Sequence, residues 1–266
     1  MNAAANHQAD VPARRIVLLG ASNLTKGIGT VLETSARLWG GPLEVFAALG
    51  HGRSYGRPSR FVGLGLPGIE SCGLWRDLAA APPRPTAALV TDIGNDLLYE
   101  EPVERIVSWV AACLDRLAEI EATTLVTLLP VDNLNALSPA RFQFFRRLFF
   151  PSSRITKSEV TSRALALNEA VARLARERGL PTVEHRAAWY GFDPIHIRFT
   201  RRREAWRDIL SGWKSDGAAL APSGSAIART VFLRTRTPHR RHLLWFEQRG
   251  KNPAASFRDG TRVSIY

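Results

Sequence analysis

The chain has 266 residues, of which 45% are hydrophobic and 23% charged, and its formal charge is +12. That balance excludes a disordered chain, and no apolar run approaches the roughly 20 residues that a membrane-spanning helix needs. Two cysteines, Cys72 and Cys113, are too few for a disulfide framework and have no metal-ligand spacing. Reduced thiols, no metal and no cofactor are therefore expected. The first 15 residues lack a basic stretch followed by an apolar core, so the expected compartment is cytoplasmic.

The positive charge is unevenly spread. Residues 197–266 hold 15 Lys and Arg against 5 Asp and Glu, a net of +10, which leaves +2 for everything before them. Three parts are expected: a flexible segment 1–14, a conventional body 15–200 and a basic C-terminal extension 201–266.

In chain order, residues 15–20 (RIVLLG) form a short apolar run ended by Gly, and Ser22-Asn23 follows as a candidate helix cap. This is the pattern of strand, tight turn and helix. A helix is expected through 31–38, stopped by Gly40-Gly41-Pro42, and a second strand over 43–49. Residues 50–68 read as a loop rich in Gly, Pro and Arg, and 74–81 as a helix. A third strand over 86–93 runs into Gly94-Asn95-Asp96. Apolar spacing predicts a helix over 103–120, a fourth strand over 123–129 stopped at Pro130, and an amphipathic helix over 160–178 closed by Gly179 and Pro181. A short fifth strand follows over 180–185, and Asp193-Pro194-Ile195-His196 lies in the loop beyond it. Strands alternating with helices imply a parallel sheet covered on both faces, with functional loops beyond the carboxyl ends of the strands.

Four of those loops carry chemistry-bearing residues: Ser22 after the first strand, Gly52 after the second, Asn95 after the third, and Asp193-x-x-His196 near residue 200. A serine hydroxyl becomes nucleophilic when a base takes its proton during attack, and His suits that task near neutrality. A carboxylate three residues upstream can fold back to fix the imidazole tautomer and stabilise the imidazolium. Each piece alone has a plainer reading: a cap for Ser22, a turn for Gly94-Asn95-Asp96, a local hydrogen bond for Asp193 and His196.

Taken in order, the four resemble the SGNH (GDSL-like) serine hydrolases over roughly residues 15–200. The resemblance implies an α/β, flavodoxin-like three-layer sandwich with a central, mostly parallel sheet. It also implies an ester hydrolase with Ser22 as nucleophile, an Asp193–His196 pair, and an oxyanion hole of Ser22 N–H, Gly52 N–H and the Asn95 side-chain amide. Gly50 and Gly56 are alternatives to Gly52. The chain departs from the family in reading Gly-Ala-Ser at Ser22, in having Ile93 two positions before Asn95, and in having Ile197 after His196.

A competing motif, Gly52-Arg53-Ser54-Tyr55-Gly56, fits the G-x-S-x-G nucleophile elbow, but Pro58, Gly63 and Gly65 stand where that elbow needs a helix. The loop at Gly20 lacks the Gly-Lys-Ser/Thr ending of a phosphate loop, and no dinucleotide fingerprint is present.

Residues 141–154 (RFQFFRRLFFPSSR) combine six large apolar side chains with four arginines. They read as an amphipathic helix with Phe inward, and alternatively as a lid, an acyl-group wall or a membrane-touching element. Residues 230–236 and 243–246 look like strands of a small hairpin in the extension. Arg interleaved with Trp there can suit an anionic polymer or nucleic acid. Lysine occurs only at Lys26, Lys157, Lys214 and Lys251, so richness in Arg is also a habit of the whole chain. The expected partner is a small-molecule or carbohydrate ester and not a nucleic acid. The alternative is a non-catalytic binding protein on the same fold whose basic tail is the working part.

Overall fold

A computed structural model describes residues 12–213 and 225–266. Most of the expected flexible segment 1–14, and Lys214, lie outside the described residues. The first half of the chain runs β1 (Arg14–Leu19), α1 (Ser22–Leu38), β2 (Leu43–Ala48), β3 (Ser59–Phe61), β4 (Leu64–Leu66), α2 (Leu74–Ala79), β5 (Thr86–Val90), α3 (Asn95–Leu98) and α4 (Val103–Glu119). Then come β6 (Thr123–Thr127), α5 (Val131–Asn135), α6 (Pro139–Phe149), α7 (Lys157–Glu177), β7 (Thr182–Val183) and α8 (Arg202–Ile209). The last part holds α9 (Ala226–Arg234), β8 (Arg241–Leu243), β9 (Phe246–Gln248), β10 (Ala255–Ser256) and β11 (Arg262–Ile265).

The main sheet has the order β10-β11-β2-β1-β5-β6-β7. All its pairings are parallel except β10 with β11. Strand side chains alternate between faces, and the sheet is buried on both. Val17 and Leu19 of β1, Phe46 and Ala48 of β2, and Ala88 and Val90 of β5 enter one core with residues of α2, α4 and α7. Their neighbours Ile16, Leu18, Val45, Ala47, Ala87 and Leu89 enter the other core, with α1 and α8. The order β2-β1-β5-β6-β7 is that of a flavodoxin-like sandwich, whose loops at the carboxyl strand ends converge where the order reverses, beside β1.

Helix α1 starts at Ser22, well before residue 31. Gly27 and Gly29, poor helix formers, conceal its first turns in the sequence. Packing explains both. A Cβ on Gly27 would stand 2.2 Å from the Trp206 indole nitrogen, and one on Gly29 would stand 1.9 Å from the Ala226 carbonyl oxygen. These two positions let α8 and α9 lie directly on α1.

The C-terminal segment is built into this frame. Trp206 and Trp213 are fully buried, and β11 extends the main sheet alongside β2, burying Val263 and Ile265. The strand expected over 230–236 is helical through Arg234: most of it falls in α9, held against α1 by a bond from Gly29 N–H to Thr230 Oγ1 of 3.0 Å. The strand expected over 243–246 instead spans the turn of a hairpin, β8 to β9. That hairpin joins β3 and β4, both unseen in the 50–68 loop, in a second sheet of order β3-β4-β8-β9. The stretch 141–154 contains most of α6, capped by Ser138 with Pro139 in its first turn. Phe142 and Phe145 point inward, while Phe144 and Leu148 are exposed.

Candidate active site

The turn after β1 leads straight into α1, and the first amides of a helix have no intrahelical partner. A capping side chain is expected at Ser22-Asn23, but the cap position is Ala21 and no local side chain fills it. The carboxylate comes from across the sheet. Asp92, just beyond β5, accepts from the backbone N–H groups of Ala21 (2.9 Å), Asn23 (3.0 Å) and Leu24 (3.2 Å). A carboxylate at the positive end of a helix is well placed electrostatically. Asp92 holds the left-handed conformation, φ 58°, which turns its side chain toward α1. The N–H of Ser22, lying between these bonded amides, has no acceptor among the described residues.

Asn23 ties this turn to the distant Asp193–His196 loop. Its side-chain amide donates to Asp92 Oδ1 (2.9 Å) and to the Ile195 carbonyl (3.0 Å), and its oxygen accepts from the Ile197 N–H (2.9 Å). His196 is thus bracketed on both sides by residues fastened to the neighbour of Ser22. Sequence reasoning takes Asn23 only as a cap and does not single out Asp92; an acid closing a strand, followed by Gly-Asn-Asp, is the one signal for the latter.

Within the loop, His196 Nδ1 and Asp193 Oδ2 are 2.6 Å apart. Asp193 Oδ1 also accepts from the backbone N–H groups of Ile195 (3.0 Å) and His196 (3.2 Å). Burial by itself would push the Asp193 carboxyl up. The hydrogen bond and charge of His196, with the two backbone donors, outweigh it and hold the carboxyl below its usual range. The edge of the Phe149 ring meets the His196 imidazole at 5.4 Å between centroids.

Asn95 opens α3 and its side-chain amide donates to the Arg53 carbonyl at 3.1 Å. Gly52, next to Arg53, takes φ 61°, a conformation open to glycine at little cost. The Gly52 carbonyl accepts from the Tyr99 hydroxyl at 2.6 Å. Of the alternatives, the Gly56 N–H is taken by Ser54 Oγ at 3.2 Å, whereas Gly50 N–H has no acceptor among the described residues. Ser54 itself is 0% exposed. Its hydroxyl donates to Asp96 and accepts from Gly56 and Arg57 N–H groups.

Ser22 and Asn95, 6% and 9% exposed, stand in the wall of one cavity of about 140 Å³. Pro194 and Ile195, which precede His196, line it as well. Its depth is apolar, built by Leu97, Leu129, Val131, Phe142, Phe145 and Val160. Gly52 is not in this wall. Among the described residues, no group of three or more His, Cys, Asp or Glu could hold a metal ion, and no helix is long and apolar enough to cross a membrane.

Three buried titratable groups surround the site. Burial pushes His185, in the cavity wall, down to about 4. His51 is also lowered to about 4, by burial first and then by the charges of Arg234, Lys26 and His196. Burial raises Asp96 to about 6, against the opposing bonds from Ser54 and Tyr55. The unfolded chain protonates each imidazole near its ordinary value of 6.5, but the folded chain does so only near 4. Their stabilising contribution is therefore complete above pH 6.5 and is lost as pH falls toward 4. Asp96 has the opposite sign, costing stability as pH rises from 3.8 to 6. With two groups against one, the urea midpoint is expected to fall between pH 7 and pH 5, and His185→Gln to flatten that fall. An unchanged slope in the variant would show that His185 is protonated alike in both states.

No family model matches the chain, and no curated protein matches it. Solved structures do. Est24, a carbohydrate acetylesterase from Sinorhizobium meliloti, is 15% identical over 74% of this chain and 97% of its own, with a TM-score of 0.51. A GDSL-like lipase from Bacteroides thetaiotaomicron is 12% identical over 74% of this chain and 85% of its own, with a TM-score of 0.49. A lipolytic G-D-S-L family member from Veillonella parvula is 11% identical over 75% and 97%, with a TM-score of 0.48. The likeness to Est24 establishes a shared fold, and the expected flavodoxin-like sandwich is the one observed.

Proposed function

We propose that the chain is a serine ester hydrolase with Ser22 as nucleophile, His196 as general base and acid, and Asp193 as the group that orients and stabilises the imidazolium. The observation that carries this reading is the pattern of amide use at the start of α1. Asp92 takes the N–H groups of residues 21, 23 and 24 and leaves that of Ser22 over, in the cavity wall. Asn23 meanwhile fastens the His196 loop to the same turn.

As His196 removes the Ser22 proton, the oxygen attacks the ester carbonyl carbon and the carbonyl oxygen becomes an oxyanion. Its donors are the N–H of Ser22, the N–H of Gly52 and the second hydrogen of the Asn95 amide, the first being given to Arg53. The carbon–alkoxy bond then breaks, and His196 returns its proton to the departing alcohol. Water, deprotonated by His196 in turn, attacks the acyl-enzyme; the bond to the Ser22 oxygen breaks, His196 returns the proton to that oxygen, and the acid is released. Asp193, held below the usual carboxylate range, is ionised throughout and balances the charge on His196.

The cavity beside Ser22 receives the acyl group. An apolar cavity of about 150 Å³ takes a benzene-sized guest, and 140 Å³ is close to that. Chains up to about six carbons therefore fit, with each buried methylene contributing about 0.8 kcal/mol, close to fourfold in kcat/KM. In a series of p-nitrophenyl esters, kcat/KM is expected to climb from acetate to hexanoate and to fall by dodecanoate. A maximum at acetate or at dodecanoate would place the acyl group elsewhere. Failure to turn over any member would remove the enzyme reading and favour a binding protein on the same fold.

A further inference from the structure

A second cleft, of about 220 Å³, shares no lining residue with the first cavity and is walled by near neighbours of Ser22 and Gly52 in the chain. It begins at Thr25, one turn along α1 from Ser22 and on the same helix face, and at Gly50 and His51, directly before Gly52. Its far wall comes from the C-terminal segment: Arg234 at the end of α9, Arg236 just beyond, and Arg241 on β8. Three guanidinium groups and one imidazole line it, and no carboxylate does.

Several other arginines of this segment do have carboxylate partners. Arg229 pairs with Asp259 at 2.5 Å, and Arg240 and Arg249 both bind Glu247 at 2.7 Å. In the cleft, Arg241 donates to the neutral Gln248 side chain (2.8 Å) and Arg236 lies over the Phe232 ring at 4.0 Å. Neither of them, nor Arg234, has a carboxylate partner among the described residues. Lys26, on α1 four residues after Ser22, is lowered by burial first and further by the charges of Arg202 and Arg234, against the opposing charges of Asp193 and Asp92. His51 feels those of Arg234, Lys26 and His196. Three guanidinium groups without a carboxylate partner among the described residues therefore share one cleft with His51.

We propose that this cleft holds an anionic group, of the phosphate or sulfate oxyanion class, carried by the alcohol part of the ester. This rests on the hydrolase reading: an ester lying across Ser22 puts its acyl chain in the apolar cavity and its alcohol on the opposite side. Planar guanidinium forks suit tetrahedral oxyanions. Ile28, Leu66 and Leu233 give the cleft an apolar floor beneath these charges. The arginine wall stands on α9 and β8, which gives the basic C-terminal segment a role in substrate choice.

The test uses two esters that differ only in charge: the hexanoyl ester of 2-hydroxyethyl phosphate and that of ethylene glycol. The phosphate-bearing ester is expected to have a kcat/KM at least tenfold higher. The advantage should shrink as salt is raised toward 1 M and disappear in the double variant Arg234→Gln/Arg236→Gln, whose exposed side chains leave the fold and the turnover of p-nitrophenyl hexanoate intact. Binding is read separately in Ser22→Ala protein, where 2-hydroxyethyl phosphate is expected to bind more tightly than ethylene glycol and to raise the pH at which the His51 imidazole titrates by NMR. Inorganic phosphate in the same titration separates a free anion from one borne by the alcohol, and binding as tight as that of 2-hydroxyethyl phosphate would contradict the alcohol assignment. Equal rates on the two esters, with p-nitrophenyl hexanoate still hydrolysed, would overturn the cleft assignment and leave the hydrolase standing. Binding of 2-hydroxyethyl phosphate that vanishes in the double variant, with no ester turned over, would support the cleft and remove the hydrolase.

Discussion

Replacing Ser22 by Ala is expected to lower the turnover of p-nitrophenyl hexanoate by about 10⁴-fold or more, the scale seen when a nucleophile is removed from a cooperating set. The fold should be unaffected, because the Ser22 hydroxyl has no hydrogen-bond partner among the described residues and the turn is fastened by Asp92 through backbone amides. Ser54→Ala gives the contrasting outcome. That hydroxyl is buried and bound to Asp96, so its loss is expected to destabilise the protein by about 1–3 kcal/mol while folded molecules keep their activity. Circular dichroism and urea unfolding beside the kinetics separate the two effects. Activity surviving in Ser22→Ala and lost in a folded Ser54→Ala would reverse the assignment.

Asp193→Asn is expected to lose about 10⁴-fold in kcat, the scale of the corresponding change in serine hydrolases with this arrangement. The change nearly preserves shape. Oriented as Asp193 is now, an asparagine keeps an oxygen for the N–H groups of Ile195 and His196, so the loop keeps its local turn. Its amide then faces His196 Nδ1 as a donor, where the carboxylate accepts at 2.6 Å. The imidazole proton moves to Nε2, which can no longer take the Ser22 proton, and the negative charge that balances the imidazolium is gone as well. A loss below about tenfold, with unfolding unchanged, would mean that Asp193 serves the loop and not the proton transfer.

The sheet was legible because each strand buries alternate residues on two cores: the runs at 15–20, 43–49, 86–93 and 123–129 each coincide with a strand of the main sheet to within a few residues. The second sheet was not. β3, β4, β8 and β9 are three residues each, too short for a period to register, and two of them sit among glycines and prolines. In α9 the run Thr230-Val231-Phe232 favours extended structure locally, yet packing on α1 across Gly29 decides for helix. The same packing hid the early start of α1.

At the candidate site, Ser22, Asn95, Asp193 and His196 are the residues that the sequence offers by type and position after strands. What joins them was not legible there. Asp92 acts through the direction of one carboxylate set by its φ, and Asn23 through bonds to residues more than 170 positions away. The cleft beyond Gly52 was equally hidden, because its arginines belong to a segment whose charge can be counted but whose position against α1 is settled by buried tryptophans.

Labelling with a serine-directed alkyl phosphonate bears most directly on the central assignment, since the reagent reacts only where a serine is activated and its oxygens meet oxyanion donors. Peptide mass mapping is expected to find one adduct, on the peptide of residues 16–26 at Ser22, and to find none in Ser22→Ala or in unfolded protein. An adduct on Ser54, or no adduct at all on folded protein, would contradict it.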